Sequence, residues 1–245
     1  MKTDEPSSVS GLSKPGTDTA ARARLPRPVR EQQMLDAATQ LFGDHGYHSV
    51  SMDQIAEAVG VSKPMLYAYF DSKEGLYAAC LKRAGEQVVA AIGASFDTAY
   101  EPEEALWHGF VAFFKFVREN RVSWQLVRND TVSEIEQFRT LVNKIHSDLR
   151  GVIGELSRIA SAQTAGDPFA DEELREAMAY SVLGAAAALA NRWADNGSCE
   201  SQPEKFANQL MQFFWMGFDN LAEGAVWQPE RVGGTSASTE SETSA

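Results

Sequence analysis

The sequence predicts an all-α fold of about nine helices, with an amino-terminal three-helix helix-turn-helix domain followed by a larger helical domain. Apolar residues recur at helical spacing along most of the chain, and no stretch alternates convincingly as a strand does. Several predicted helices begin at a Ser, Thr or Asp that is followed three residues later by Glu or Gln, a capping box. Gly60 separates two short helical patterns, as a tight turn between crossed helices requires.

Composition excludes membrane and secreted classes. The chain has 245 residues, of which 44% are hydrophobic, so a sizeable core is expected. No apolar run approaches the ~20 residues of a membrane span, and residues 1–30 have no apolar centre of a signal peptide. Cys80 and Cys199 lie far apart and match no metal or redox spacing. We therefore expect a cytoplasmic protein with reduced thiols.

The charge is unevenly distributed. The formal net charge is −12, from 22 basic and 34 acidic residues, and the acidic excess lies mainly beyond residue 96. The basic residues of interest lie near the amino-terminal helices: Arg22, Arg24, Arg27, Arg30, Lys63 and Lys73. An acidic body with a locally basic amino-terminal region is compatible with salt-dependent phosphate binding.

The first predicted helix runs from Val29 to Gly43 and carries one apolar stripe that includes Ala38 and Phe42. Residues 1–26 lack apolar periodicity and are expected to be disordered. Their basic end would contact a minor groove or phosphates, as a homeodomain arm does, or would be a solubilising tail. Both interpretations stay open.

The stretch from Ser51 to Tyr69 predicts the helix-turn-helix. Ser51 with Gln54 forms a capping box, and Gly60 ends the first of its helices where a left-handed residue is cheapest. Ser62 is expected to cap the second helix, about Lys63 to Tyr69, whose first turn contains Pro64. The second helix of such a motif enters the DNA major groove.

That placement predicts which side chains face DNA. Leu66 and Phe70 would point into the core, while tyrosine hydroxyls, lysine and methionine can contact phosphates, guanine and thymine methyl groups. Packing or capping alone would also explain the tyrosines and serines in this set. The candidate DNA-binding residues are Arg27, Arg30, Ser51, Ser62, Lys63, Pro64, Met65, Tyr67, Tyr69 and Lys73.

Six further helices are predicted. Asp71 with Glu74 would start the fourth helix, and Lys73 in its first turn opposes the helix dipole, which favours a phosphate contact as the explanation. The predicted ranges are Ser72–Asp97, Pro102–Glu119, Val122–Arg128, Thr131–Ala160, Asp171–Ala194 and Pro203–Ala225, with caps at Thr131 and Ser201 and a flexible acidic tail over 229–245.

The last two predicted helices indicate an oligomer interface, because they are apolar over more than one stripe and carry small residues that permit close approach. The alternative is a pair of ordinary two-sided core helices. The candidate interface residues are Gly184, Ala185, Ala188, Leu189, Phe213, Phe214 and Gly217.

Catalytic chemistry is not expected. The sequence has no glycine-rich phosphate loop, nucleophile elbow or His/Cys metal set, so neither a catalytic residue nor a metal or other cofactor is predicted. His108 and His146 are better read as packed or surface histidines. Aromatic residues are dense between Trp107 and Phe138, which is typical of a core but can leave an apolar cavity.

Residues 30–76 resemble the DNA-binding domain of the TetR family of one-component regulators. The matching residues are Ala37, Ala38, Leu41, Phe42, Gly46, Tyr47, Ser51, Ile55, Ala56, Gly60, Val61, Ser62, Leu66, Tyr67, Phe70, Lys73, Glu74 and Leu76. Pro64 and Tyr69 depart from the commoner Gly and His of the family, which leaves the operator sequence open. The resemblance implies a DNA-binding domain over 27–75, a ligand-binding and dimerisation domain over 76–228, and a fourth helix that links them.

The resemblance also implies a homodimer on a double-stranded operator and a small-molecule pocket in the body. We expect a long, apolar or aromatic-lined tunnel, with candidate ligand-binding residues Trp107, Phe110, Phe114, Trp124, Phe138, Leu141, Ile145 and Met178. Segments 128–130 and 191–197 resemble regulators of lipid or fatty-acid metabolism, which implies a fatty acyl effector. From the resemblance to the TetR family as a whole we expect a repressor. The alternatives are a multidrug-type efflux regulator, an enzyme fused to such a module, or a helical adaptor that binds protein.

Overall fold

The described part of the chain consists of α-helices joined by turns and short loops. A computed structural model describes residues 26–97, 99–128, 135–163, 171–195 and 202–222. Within these segments the helices are α1 Arg27–His45, α2 Met52–Val59, α3 Lys63–Phe70, α4 Lys73–Gly93, α5 Pro102–Glu119, α6 Arg121–Arg128, α7 Glu136–Gln163, α8 Glu172–Asp195 and α9 Pro203–Ala222. The all-α prediction is confirmed. The predicted arm, tail, and caps at Thr131 and Ser201 lie outside the described residues.

The helix-turn-helix forms through the local signals expected of it. Gln54 donates its backbone N–H to the Ser51 hydroxyl at 3.3 Å, and the Gln54 side-chain oxygen accepts from the Ser51 backbone N–H at 2.8 Å. This confirms the capping box at the start of α2. Gly60 follows α2 with φ 73° and ψ 36°, the left-handed conformation that glycine adopts without steric cost.

Two predicted caps differ from the structure. Ser62 occupies the position before α3 but makes no side-chain cap hydrogen bond, so Pro64 in the first turn is the remaining start signal. The α4 cap is Ser72, whose hydroxyl accepts the Gly75 backbone N–H at 2.9 Å, and not Asp71. Helix α4 also ends at Gly93, four residues before the predicted Asp97.

The amino-terminal helices and the body share one continuous apolar core. Met34 and Phe42 of α1, Ile55 of α2 and Leu66 of α3 are almost completely buried together. The core continues into the body through Tyr77 of α4, and there it meets side chains from α5 to α9. Among the described residues, the buried side chains of the two parts therefore form a single cluster.

Glycines set two close helix crossings. A Cβ on Gly85 of α4 would come within 2.3 Å of the Ile145 side chain of α7, and a Cβ on Gly43 of α1 within 2.3 Å of Val122 of α6. Since real Cβ atoms do not approach so closely, both crossings depend on the missing side chain.

Helix α6 joins the amino-terminal helices to the far end of the body. It packs on α1 and α4, and Arg121 donates to the Ala194 carbonyl at 2.7 Å in the last turn of α8. Arg128 pairs with Asp195 at 2.7 Å at the same end of α8. No helix among the described residues is both long and apolar enough to cross a bilayer.

Candidate DNA-binding surface and effector cavity

Helix α3 presents one face to solvent. Leu66 and Phe70 are buried, as predicted, while Ser62, Lys63, Pro64, Tyr67 and Ala68 are exposed. The exposed positions recur one turn apart, so they form a single face. The sequence interpretation missed Ala68, because a small apolar side chain carries no polar signal. We call this face, Ser62 to Pro64 with Tyr67 and Ala68, the reading face.

Lys63 is paired across the helix-turn-helix. Its ammonium lies 2.8 Å from a carboxylate oxygen of Asp53 on α2, and both side chains are largely exposed. The hydrogen bond to Asp53 and its negative charge raise the pKa of Lys63. A phosphate or guanine that takes Lys63 must therefore compete with Asp53.

The amino-terminal end of α1 packs against α3. The Arg27 guanidinium lies 5.0 Å from the centre of the Tyr69 ring, and Arg30 Nη1 lies 3.3 Å from Met65 Sδ. Met65 and Tyr69 are half-buried against the core, so these two candidates contribute to the packing between α1 and α3. Their role in DNA contact stays a prediction, as does that of Arg27, Arg30 and the exposed cap residue Ser51.

Lys73 lies beside the aromatic core. Its Nζ is 4.4 Å from the centre of the Tyr47 ring and 3.5 Å from the His48 carbonyl oxygen. Partial burial lowers the pKa of Lys73. Tyr47 donates its hydroxyl to a Glu74 carboxylate oxygen at 2.9 Å, and burial first, then this carboxylate, raises the pKa of Tyr47 to about 12. Sequence reasoning did not predict that Tyr47 adjoins a candidate DNA contact.

An apolar cavity of about 40 Å³ lies in the body between α4, α5, α7 and α8. Its lining includes Ile92, Phe96, Phe110, Phe113, Leu149 and Val182. That volume is close to one water molecule and well below the ~300–1,000 Å³ of ligand pockets. The expected long tunnel stays a prediction, and a ligand in this cavity would have to separate the surrounding helices.

Of the eight candidate ligand-binding residues, Phe110 lines this cavity and the other seven do not. Trp107 and Trp124 donate to the side chains of Asn208 and Asn191 at 2.9 Å and 3.0 Å. Three of the remaining five pack against identified neighbours. Phe114 packs against Trp193 and Phe206, Phe138 against Tyr47 and Tyr77, and Ile145 against Gly85, while Leu141 and Met178 are half-buried on α7 and α8.

The faces of α8 and α9 expose unusually large apolar groups. Phe213, Met216 and Tyr180 are 78%, 56% and 50% exposed. The candidate interface residues Gly184, Ala188 and Gly217 are exposed on the same two helices, and Ala185, Leu189 and Phe214 are half-buried. Large exposed apolar side chains of this kind are typical of a surface that another protein covers.

Both the amino-terminal part and the body of the chain match known proteins. A family model described as bacterial regulatory proteins, tetR family, matches residues 34–80, and one described as tetracyclin repressor-like, C-terminal domain, matches residues 102–217. A TetR-like transcriptional regulator from Rhodococcus sp. RHA1 has a similar structure, with a TM-score of 0.65 and 34% identity over 80% of this chain and 99% of that chain.

Two curated relatives match at lower coverage or identity. The HTH-type transcriptional activator FasR of Mycolicibacterium smegmatis is 38% identical over 125 residues, which are 51% of this chain and 57% of that protein. The HTH-type transcriptional regulator BetI of Brucella suis is 25% identical over 175 residues, 66% of this chain and 87% of that protein. The match to FasR therefore spans only a little over half of that relative's length.

Proposed function

The chain belongs to the TetR family of bacterial transcriptional regulators, and on that premise we propose that it binds operator DNA as a homodimer in the cytoplasm. The observation that supports this proposal is the reading face. There Lys63 and Tyr67 project to solvent, while Leu66 and Phe70 on the opposite side anchor the helix in the core. A helix held in this way can enter a major groove without losing its packing.

Dimerisation through α8 and α9 is part of the proposal. Burial of Phe213, Met216 and Tyr180 against a second copy would remove the largest exposed apolar side chains of the described residues from water. Two reading faces related by a two-fold axis would contact half-sites about one helical turn, or a small multiple, apart.

The effector in this proposal is an apolar small molecule such as a fatty acyl compound. The apolar lining of the cavity supports that class, since it offers aromatic and aliphatic side chains and almost no polar surface. An effector that expands the cavity would move α4, which carries Lys73 at its other end. Typical coupling between such sites is about 1–3 kcal/mol.

We propose that the chain represses transcription, because a protein that occupies a promoter blocks transcription without needing a second surface to contact the transcription machinery. FasR is named an activator, so activation is the competing sign. A multidrug-type regulator would need charged or polar groups for cationic drugs, and the cavity lining does not favour it.

The test is binding of the purified chain to duplex DNA from upstream of its own and neighbouring genes, followed by anisotropy. Footprinting should show a two-fold symmetric protected site, and long-chain acyl compounds should shift the binding constant. A matched short-chain acyl compound is the control for effector size. The proposal fails if the chain ignores duplex DNA even at low ionic strength, where phosphate contacts are strongest.

A further inference from the structure

Lys73 is held by an aromatic platform next to the helix-turn-helix. Its Nζ lies over the Tyr47 ring at 4.4 Å and near the His48 carbonyl oxygen at 3.5 Å. An ammonium above an aromatic face is attracted by the negative face of the ring. The two contacts therefore restrict a long side chain that would otherwise sample many rotamers.

The platform itself is fixed on several sides. The Tyr47 ring packs edge-on against Tyr77 of α4 at 5.0 Å and against Phe138 of α7 at 5.4 Å between centroids. Its hydroxyl also donates to Glu74 at 2.9 Å, in addition to the ring contacts that hold the ring in place. Only 7% of Tyr47 is exposed, so the ring cannot turn freely toward solvent.

The position of Lys73 in α4 needs an explanation beyond helix stability. It is the first residue of the helix, where the partial positive charge of the helix amino terminus disfavours an ammonium. The Tyr47 ring offsets part of this cost. A phosphate placed there would gain both from Lys73 and from the helix terminus.

We propose that Tyr47 is a positioning residue for DNA binding. Its ring holds the Lys73 side chain in the conformation in which the ammonium can bind a backbone phosphate of DNA. The inference rests on the proposed DNA-binding function and adds a residue to it. Tyr47 acts through Lys73 and does not contact DNA itself.

The test measures how the affinity for one mixed-sequence DNA duplex depends on salt concentration, in the full wild-type chain and in its variants. Loss of one phosphate contact lowers the slope of log K against log salt by about 0.9 per subunit, and lowers affinity on the order of tenfold per subunit near 0.1 M salt. Lys73→Ala should show this loss. Tyr47→Leu alone should show a large part of this loss of slope. Tyr47→Leu combined with Lys73→Ala should lower the slope little further than Lys73→Ala does alone. Tyr47→Phe, which keeps the ring, should retain the wild-type slope.

Phe116→Leu is the matched control, because Phe116 of α5 is a buried aromatic residue of the same core and is not among the described rings that pack on Tyr47. It should destabilise the fold while leaving the salt slope unchanged. Equal slopes in Tyr47→Leu and wild type, or an equal loss of slope in Phe116→Leu, would overturn the positioning role.

A measurement on the wild-type chain covers the case in which the leucine variants do not fold. Protons on the Lys73 side chain should resonate upfield of ordinary lysine values, because they lie over the Tyr47 ring, and Tyr47→Phe should preserve the shift. An unshifted Lys73 spectrum refutes the platform. A wild-type chain that does not bind duplex DNA refutes the proposed function instead, whatever the spectrum shows.

Discussion

The ring of Phe138, on α7, lies edge-on to the ring of Tyr47, in the loop before α2, with 5.4 Å between the ring centroids. Phe138 is 1% exposed and also packs on Tyr77 at 4.7 Å. It is thus an aromatic connection between the body and the amino-terminal helices. Its buried position predicts a structural role.

Phe138→Ala should therefore lower the free energy of unfolding by about 3–5 kcal/mol, because a large buried ring is removed and a cavity is left. Urea unfolding monitored by circular dichroism measures the change. Phe213→Ala is the control, since 78% of that ring is exposed in the single chain. It should be compared at a concentration low enough for monomers. A loss below about 1 kcal/mol in Phe138→Ala would contradict the burial that the structure assigns to the ring.

Gly85 and Gly151 form a second matched pair of positions. A Cβ at Gly85 would collide with Ile145, whereas a Cβ at Gly151 of α7 meets no atom within 4 Å. Gly85→Ala should lower the free energy of unfolding by about 1–3 kcal/mol through overpacking. Gly151→Ala should raise it by about 0.5–1 kcal/mol, because alanine loses less backbone entropy in a helix. The opposite order in thermal or urea unfolding would show that α4 and α7 do not cross closely at Gly85.

Asp53 competes for Lys63 in the free protein. Asp53→Asn should raise DNA affinity by up to about fivefold per subunit, because the loss of an exposed ion pair frees the lysine. Glu57→Gln removes the same charge from the same helix without touching that pair. Titration by anisotropy at low salt separates the two variants. Equal gains in both would indicate a general charge effect.

Tyr67 should contribute through its hydroxyl. If that group bonds a phosphate oxygen, Tyr67→Phe and Tyr67→Ala should each weaken DNA binding on the order of tenfold or more per subunit, as expected for a hydrogen bond of about 1.5–3 kcal/mol to a charged group. Both variants should keep nearly wild-type stability, since Tyr67 is 39% exposed. Full affinity in Tyr67→Phe would leave only a packing role for the ring.

The exposed face of α9 should control assembly. Phe213→Asp places a charge where the proposed dimer buries a ring, so the variant should sediment as a monomer at concentrations where the wild type is a dimer. Gln87→Asp, an exposed substitution on α4, should leave the mass unchanged. A monomeric wild type at micromolar concentration would remove the dimer from the proposed function.

Local signals made the amino-terminal region predictable. The Ser51–Gln54 capping box, the left-handed Gly60 and the buried pair Leu66 and Phe70 all act within a few residues, and each appears in the structure as expected. The prediction that the Ser62 side chain caps α3 was wrong, also for a local reason. A serine before a helix caps it by accepting a backbone N–H of the first turn, but Pro64 has no N–H, and the Met65 N–H donates to the Ser62 carbonyl at 3.0 Å.

The aromatic residues of the body were less predictable. Trp124, Phe114 and Phe138 have the spacing of a core stripe and of a ligand site alike, because both need large apolar side chains on one helix face. Their hydrogen bonds and ring contacts come from residues that are distant in the chain, such as Asn191 for Trp124. The sequence could not supply these partners.

The amino-acid sequence by itself determined the helical class, the helix-turn-helix and the family, because periodicity, caps and turn glycines are encoded within one or two turns of helix. Tertiary structure alone decided that Lys73 rests on Tyr47, that Asp53 holds Lys63, and how small the cavity lined by Phe110 is. These depend on how closely whole helices approach one another, which packing fixes and local sequence does not.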